Sequence, residues 1–440
     1  MRRYIKEQLI EWKNRKDKKP LILKGARQVG KTYILKEFGQ EQYENVAYFN
    51  FDHDEALKEL FVTTKDPKRI LEQLVFVTGK AIEPQKTLII FDEVQECPDA
   101  LNSLKYFQEE ANEYHIVCAG SLLGIKLSHT SFPVGKVEYL EMYPMTFTEF
   151  LLADNQDNLV QYMESINKIE KIPDIIFNQL NEKIKSYFII GGMPEVVKMW
   201  VETRDIEAVN RIQKQILSGY EDDFGKHTDT TYMQAKISII WESVISQLAR
   251  ENKKFLYQIA KSGARAREYE DAIGWLNDSD ILHKIFNITK PDFPLNAYTD
   301  LSSFKLYMLD VGLLRRKANL DSKIVAYGNK LFEEFKGALT ENFILNMIMF
   351  KFENKPNYYT FDRHEIDFII QYKNEIIPIE VKSSENINNI SLTRFNELNE
   401  NKISVRFSTR NLDKSGKILN VPIFMAEYID KLITLGVEEI

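Results

Sequence analysis

With 440 residues, 44% of them apolar and 28% charged, the chain has material for two or three domains with ordinary cores and reads as globular. A formal charge of −7 and a pI near 5.7 argue against broad electrostatic adhesion to nucleic acid, while leaving room for a local basic patch. Cys97 and Cys118 have no metal-type spacing, and no apolar run of signal-peptide or membrane-spanning length follows Met1-Arg2-Arg3, so the expectation is a soluble cytoplasmic protein that does not use a membrane.

Residues up to about Lys19 predict a lead-in helix with Ile5, Leu9, Ile10 and Trp12 as its apolar stripe. A short apolar strand, Leu21-Ile22-Leu23, then meets Gly25-Ala26-Arg27-Gln28-Val29-Gly30-Lys31-Thr32, and a helix-forming segment follows from Tyr33 to Phe38. Strand, glycine turn and helix in that order make a phosphate-binding loop. Gly25 and Gly30 let the backbone curl so that successive N–H groups point inward, and the helix N-terminus adds a positive dipole end. Lys31 is placed to reach β- and γ-phosphates, and the Thr32 hydroxyl to bind Mg²⁺.

Val46 to Phe51 predicts a second strand. Thr87-Leu88-Ile89-Ile90-Phe91-Asp92-Glu93 follows as a buried parallel strand whose C-terminal end carries two acids. Asp92 is the candidate Mg²⁺ ligand and Glu93 the group that polarises an attacking water. The adjacent glutamate favours hydrolysis over transfer to a small molecule. A helical region from Asp99 to Ala111 precedes another buried strand, His115 to Ala119. Ser121, two residues past it, either contacts a γ-phosphate or is an ordinary turn serine. Alternating strands and helices imply an α/β fold with a parallel sheet covered on both faces.

The strings at 25–32, Phe91-Asp92-Glu93-Val94-Gln95, Ala119-Gly120-Ser121-Leu122-Leu123 and Tyr143-Pro144-Met145-Thr146-Phe147-Thr148-Glu149-Phe150 resemble the bacterial and archaeal AAA+/STAND-type P-loop ATPases joined to a DUF4143 region. The resemblance covers nearly the whole chain. It implies ATP and Mg²⁺ as cofactors, and it matches Gly191-Gly192-Met193-Pro194-Glu195 to an element through which Met193 and Pro194 contact the base. Relatives carry Gly-Arg ahead of the Tyr-Pro string where this chain has Gly135-Lys136, and lysine lacks the bidentate fork of arginine. Arg27 is the substitute candidate.

From about Gln156 to Lys226 the polar helical pattern reads as an ATPase lid and linker. Between Tyr232 and Leu314 come helices, a break at Gly263, a helix with Tyr269, Ile273 and Leu276 on one face, and the β-like Phe304 to Leu309. The family likeness makes this a winged helix, with Lys253, Lys254, Lys261, Arg265 and Arg267 as candidate phosphate contacts. A solvated charged face or a protein-binding surface accounts for the same residues.

The last third carries two predicted strands, Glu365 to Ile370 and Ile376 to Lys382. A two-residue loop at Lys373-Asn374 sets Tyr372 against Glu375 and, counting outward, Asp367 against Glu380. Facing carboxylates repel unless a cation lies between them, so this register suggests a second divalent metal. Lys382 shares the face of Glu380, and Glu341 on the preceding helix completes the set. The order resembles the PD-(D/E)xK nuclease fold over Glu333 to about Met425. A plain sheet with Ile377, Ile379 and Val381 buried and its charges solvated explains the same alternation, and His364 reads as a surface or capping residue.

The expected organisation is a P-loop parallel-sheet core at 1–155, a helical lid and linker at 156–226, a winged-helix domain at 227–325 and an α/β nuclease-like domain at 326–440. Three functions fit: an ATP-hydrolysing switch, an ATP-regulated nuclease, and a nucleotide-dependent scaffold with an inert C-terminal domain. Candidate partners are DNA, a partner protein and a second copy of the chain.

Overall fold

A computed structural model describes residues 1–52, 54–121, 135–226, 230–250, 253–263, 265–327, 333–383 and 390–438, so Leu122 and Leu123 of the quoted string lie outside the described residues. Two compact units are present. One comprises Arg3–Tyr143 and Asp278–Ile281; the other comprises Met1–Arg2, Pro144–Asn277 and Leu282–Ile440.

The first unit is built on five parallel strands, β1 (Leu21–Lys24), β2 (Asn45–Asn50), β3 (Thr87–Asp92), β4 (His115–Ala119) and β5 (Glu138–Glu141), in the order β2-β3-β4-β1-β5. β3 and β4 are buried along their whole length, as strands flanked on both sides and covered on both faces must be. Their uninterrupted apolar runs are the cause. Helices Lys31–Gln42, Glu55–Thr63, Pro67–Thr78 and Pro98–Glu110 connect the strands. Asp54 and Asp66 cap two of them, accepting from the N–H groups of Leu57 and Lys68. Phe51, Phe61 and Phe91 meet edge to face with centroids 5.5–5.6 Å apart. Because β4 lies between β1 and β3, the carboxyl ends of all three open on one edge of the sheet, where open α/β sheets take their ligands.

In the second unit, helices Phe147–Ala153, Asp157–Ser165, Asp174–Ile190, Pro194–Thr203 and Ile206–Lys226 come first. Part of the Tyr-Pro string has a local structural task here. Thr146 and Glu149 form a reciprocal capping box at the start of the first of these helices, and Glu427 adds a buried carboxylate that accepts from the Thr146 hydroxyl at 3.0 Å and the Thr148 N–H at 3.1 Å.

The same unit holds an eight-stranded mixed sheet in the order β12-β13-β11-β10-β9-β8-β6-β7. Its strands are β6 (Leu282–Ile288), β7 (Thr299–Met308), β8 (Asn357–Phe361), β9 (His364–Tyr372), β10 (Glu375–Val381), β11 (Ser404–Ser408), β12 (Asp413–Ser415) and β13 (Ile418–Pro422). The segment expected to end a winged helix therefore shares one sheet with the segment expected to be nuclease-like, through the parallel pairs Asn287 with Tyr358 and Ile288 with Tyr359. Such pairing joins strands about 70 residues apart, and no local pattern encodes it. Tyr269, Ile273 and Leu276 are buried on one face of helix Ala266–Asp278, as their spacing requires.

Candidate functional site

The loop between β1 and helix Lys31–Gln42 takes three left-handed backbone positions, Gly25 at φ 140°, Gln28 at φ 67° and Gly30 at φ 97°. Gly25 is fixed by space as well as conformation: a Cβ there would lie 2.2 Å from the carbonyl oxygen of Met142. Ala26 and Val29 are buried, anchoring the loop, while Arg27 is half-exposed and Gln28 faces solvent.

Lys31 is 8% exposed, and its ammonium donates to the carbonyls of Gly25 and Ala26, both at 2.7 Å. Burial lowers its pKa to about 8, against the opposing charges of Glu93, Asp280 and Asp92. Asp280 belongs to the short stretch that joins this unit from much later in the chain.

The sheet brings the second acid pair to the loop. Thr32 donates its hydroxyl to Asp92 Oδ2 at 2.9 Å, and Tyr48 donates to the same oxygen at 2.7 Å. β2 and β3 run in register, so Asn50 pairs with Asp92 and Tyr48 with Ile90, which places the phenol beside the acid. The sequence reading missed Tyr48; an aromatic two residues before the end of a neighbouring strand marks it only once strand order is known.

Glu93 sits at φ 51°, a conformation that costs a non-glycine residue roughly 1 kcal/mol or more and concentrates at functional positions. Gln95 donates its amide to Glu93 Oε2, and Gln95 Oε1 is buried without a partner. Ser121 is 3% exposed, and its hydroxyl is likewise buried and unpartnered. The Ser121 hydroxyl can donate to a ligand with acceptor oxygens, whereas Gln95 Oε1 can only accept and needs a donor such as water. Thr32 and Asp92 offer the hard oxygen donors that Mg²⁺ takes alongside phosphate and water. Lys136, standing where relatives have arginine, is paired with Glu109 at 2.8 Å. Met193 and Pro194 lie in the other unit, where Met193 is buried and precedes helix Pro194–Thr203; Gly192 before them donates its N–H to Asp310 at 2.6 Å.

A second cluster occupies the β9–β10 hairpin. The register is the expected one, Tyr372 opposite Glu375 and onward to Phe368 opposite Ile379. There the ladder stops, one step before Asp367 and Glu380. Asp367 instead accepts the Val381 N–H at 2.8 Å. Lys382 pairs with Glu380 at 2.7 Å, Lys305 pairs with Glu365, and Glu341 is bound by Lys253 and by the Tyr307 hydroxyl at 3.2 Å. Burial, with the charge of Glu341 beside it, pushes Asp367 up to about 7.

Lysines thus supply cationic charge that the sequence reading assigned to a metal. Among the described residues no group of three His, Cys, Asp or Glu is arranged to hold a metal ion, and the second divalent metal has no such ligand set. Lys253, expected at nucleic-acid phosphates, is committed to Glu341 with its side chain 11% exposed, whereas Lys261, Arg265 and Arg267 are exposed. His364 packs its ring on Phe361.

Comparison with known proteins divides the chain three ways. Residues 17–151 match the AAA domain, 181–324 a domain of unknown function (DUF8612) and 336–424 a domain of unknown function (DUF4143). No curated protein matches. Among solved structures, C. elegans PCH-2 is similar at 12% identity with a TM-score of 0.27, over 46% of this chain and 62% of that one, so the chain spans less than two thirds of that protein. AMPPCP-bound DnaA from Aquifex aeolicus is similar at 15% identity and TM-score 0.28, over 62% of this chain and 86% of that one. A Thermotoga maritima RuvB variant reaches 14% and 0.30, over 63% and 87%. Likenesses this distant add nothing to the reading of the site. No described helix is long and apolar enough to cross a membrane.

Proposed function

We propose, for a chain that joins an AAA-type P-loop ATPase domain to a DUF4143 region, that it binds ATP at the 25–32 loop and hydrolyses the terminal phosphate, its nucleotide state acting as a switch on the rest of the chain. The observation that carries this reading is the junction of Thr32 with Asp92 at 2.9 Å, beside a lysine held 2.7 Å from two loop carbonyls. In it, the loop N–H groups and the end of helix Lys31–Gln42 receive phosphate oxygens, and Lys31 exchanges its carbonyl partners for the β- and γ-phosphates. Thr32 and Asp92 would hold Mg²⁺, which supplies charge neutralisation at the phosphates. Glu93 takes the proton of the attacking water, and Ser121 donates its free hydroxyl to the γ-phosphate. Arg27 is the cation for transition-state charge, with Lys136 engaged by Glu109. Equilibrium dialysis of purified protein with ATP and Mg²⁺, paired with phosphate release, tests this; no detectable affinity for ATP or GTP would end it.

A second reading, phosphodiester cleavage at Glu341, Asp367, Glu380 and Lys382, is favoured by one observation, the buried and unpartnered Glu380 Oε2. Its substrate would be DNA, presented by Lys261, Arg265 and Arg267. Mn²⁺ affinity should then fall about tenfold or more in Asp367→Asn, the change expected for losing one carboxylate's support of a metal. Calorimetry on the full chain measures it, and unchanged affinity together with intact plasmid and single-stranded DNA after incubation would leave the C-terminal part as a binding module, for a protein partner or a second copy.

A further inference from the structure

We infer that Arg3 is a positioning residue of the phosphate loop, acting from outside it through the carbonyl of Val29; this rests on the nucleotide-binding reading of that loop. Arg3 stands 26 residues before Val29 and 140 before Tyr143, and its guanidinium donates to both backbone carbonyls, at 3.0 Å and 2.6 Å.

The first of these contacts has a directional consequence. The Val29 carbonyl and the Gly30 N–H belong to one peptide unit, which is planar and trans, so the two bonds point in opposite directions. A guanidinium on the oxygen therefore fixes the N–H pointing away from Arg3. It also polarises the peptide, which makes that N–H a stronger donor. Gly30 is the last loop residue before helix Lys31–Gln42, with φ at 97°, and glycine has no side chain to hold that peptide in place. Arg3 does the holding.

The second contact explains why the hold is firm. Met142 donates its N–H to the Lys24 carbonyl at 2.8 Å, and its own carbonyl fills the space where a Gly25 side chain would be. Tyr143, the next residue, takes the other arm of the Arg3 fork. One dipeptide thus braces the start of the loop directly and its end through Arg3. A planar fork presents its donors to the two carbonyls in fixed directions, whereas the ammonium of a lysine is a compact charge on a flexible stem that fixes neither direction.

Gly30 N–H would meet a phosphate oxygen equally in the ground state and the transition state, so its loss weakens uniform binding. Arg3→Ala should raise KM for Mg-ATP and the dialysis Kd together by about tenfold, the scale of one charge-assisted hydrogen bond, with kcat kept within about twofold. Arg3→Lys should fall between wild type and alanine. Thermal unfolding without nucleotide, measured on all three proteins, guards against a folding defect, and the lysine variant retains a cation at that place if alanine does not fold. Wild-type KM in Arg3→Ala would overturn the proposal, as would parallel losses of kcat and unfolding midpoint in both variants. Absence of ATP binding by the wild type would instead remove the reading beneath it, so the two failures are told apart.

Discussion

Replacing Glu93 with glutamine should lower ATP turnover by roughly 10²–10⁴-fold while leaving ATP affinity within about twofold, the signature of a group needed for proton transfer and little else. Glutamine keeps the shape of the side chain and the acceptor oxygen that receives the Gln95 amide, so the local hydrogen bond survives the change. What is lost is the capacity to take a proton from water. The backbone argues for the same role, since Glu93 is held at φ 51° immediately after the fully buried β3. A strained conformation persists only where its surroundings impose it, and here those surroundings are a strand buried on both faces and a buried Gln95. Phosphate release under single-turnover conditions and dialysis with ATP measure the two halves of the prediction. Turnover at the wild-type rate would assign the proton to another group, and loss of affinity would make Glu93 a structural residue.

The second large effect is expected at Lys31. Lys31→Ala should weaken ATP binding by about 100-fold or more, because the loop then keeps its N–H groups but loses the mobile cation between the two terminal phosphates. The wild type also carries a pH signature. Burial holds this ammonium at about 8, and an arriving polyphosphate favours its charged form. Affinity is therefore full below pH 8 and falls as pH rises through 8 toward 9, where a proton must be taken up on binding. Alanine at position 31 should remove that slope along with the affinity. Dialysis at pH 7, 8 and 9 on both proteins measures it; a slope retained in Lys31→Ala would place the titrating group elsewhere.

Much of this site was legible because its signals are local. The loop, its following helix, the apolar run of β3 and the register of the β9–β10 hairpin all follow from spacing within about 20 residues, and a two-residue turn leaves a hairpin little freedom. The contacts that escaped the reading are long-range. Tyr48 on Asp92, Arg3 on Val29 and Tyr143, and Asp280 near Lys31 each need the strand order or a distant chain crossing. The hairpin shows the limit from the other side. Counting residues placed Asp367 opposite Glu380, one step beyond where the observed ladder ends, and it could not say that Asp367 would turn to the Val381 N–H or that Lys253 and Lys305 would approach from other elements. Period and turn length fix which face a side chain occupies; they say nothing of what arrives from elsewhere to meet it.

Four residues, Asp278–Ile281, pack with the ATPase unit although both chain neighbours pack with the other. Ser279 and Ile281 within it are each 3% exposed, so the stretch is buried. No single scission of the gene can liberate this ATPase whole: a fragment stopping near residue 155 leaves behind four residues of the unit that lie more than a hundred and twenty codons further on. A ribosome making this chain must hold the nucleotide module unfinished until long after its last strand has emerged.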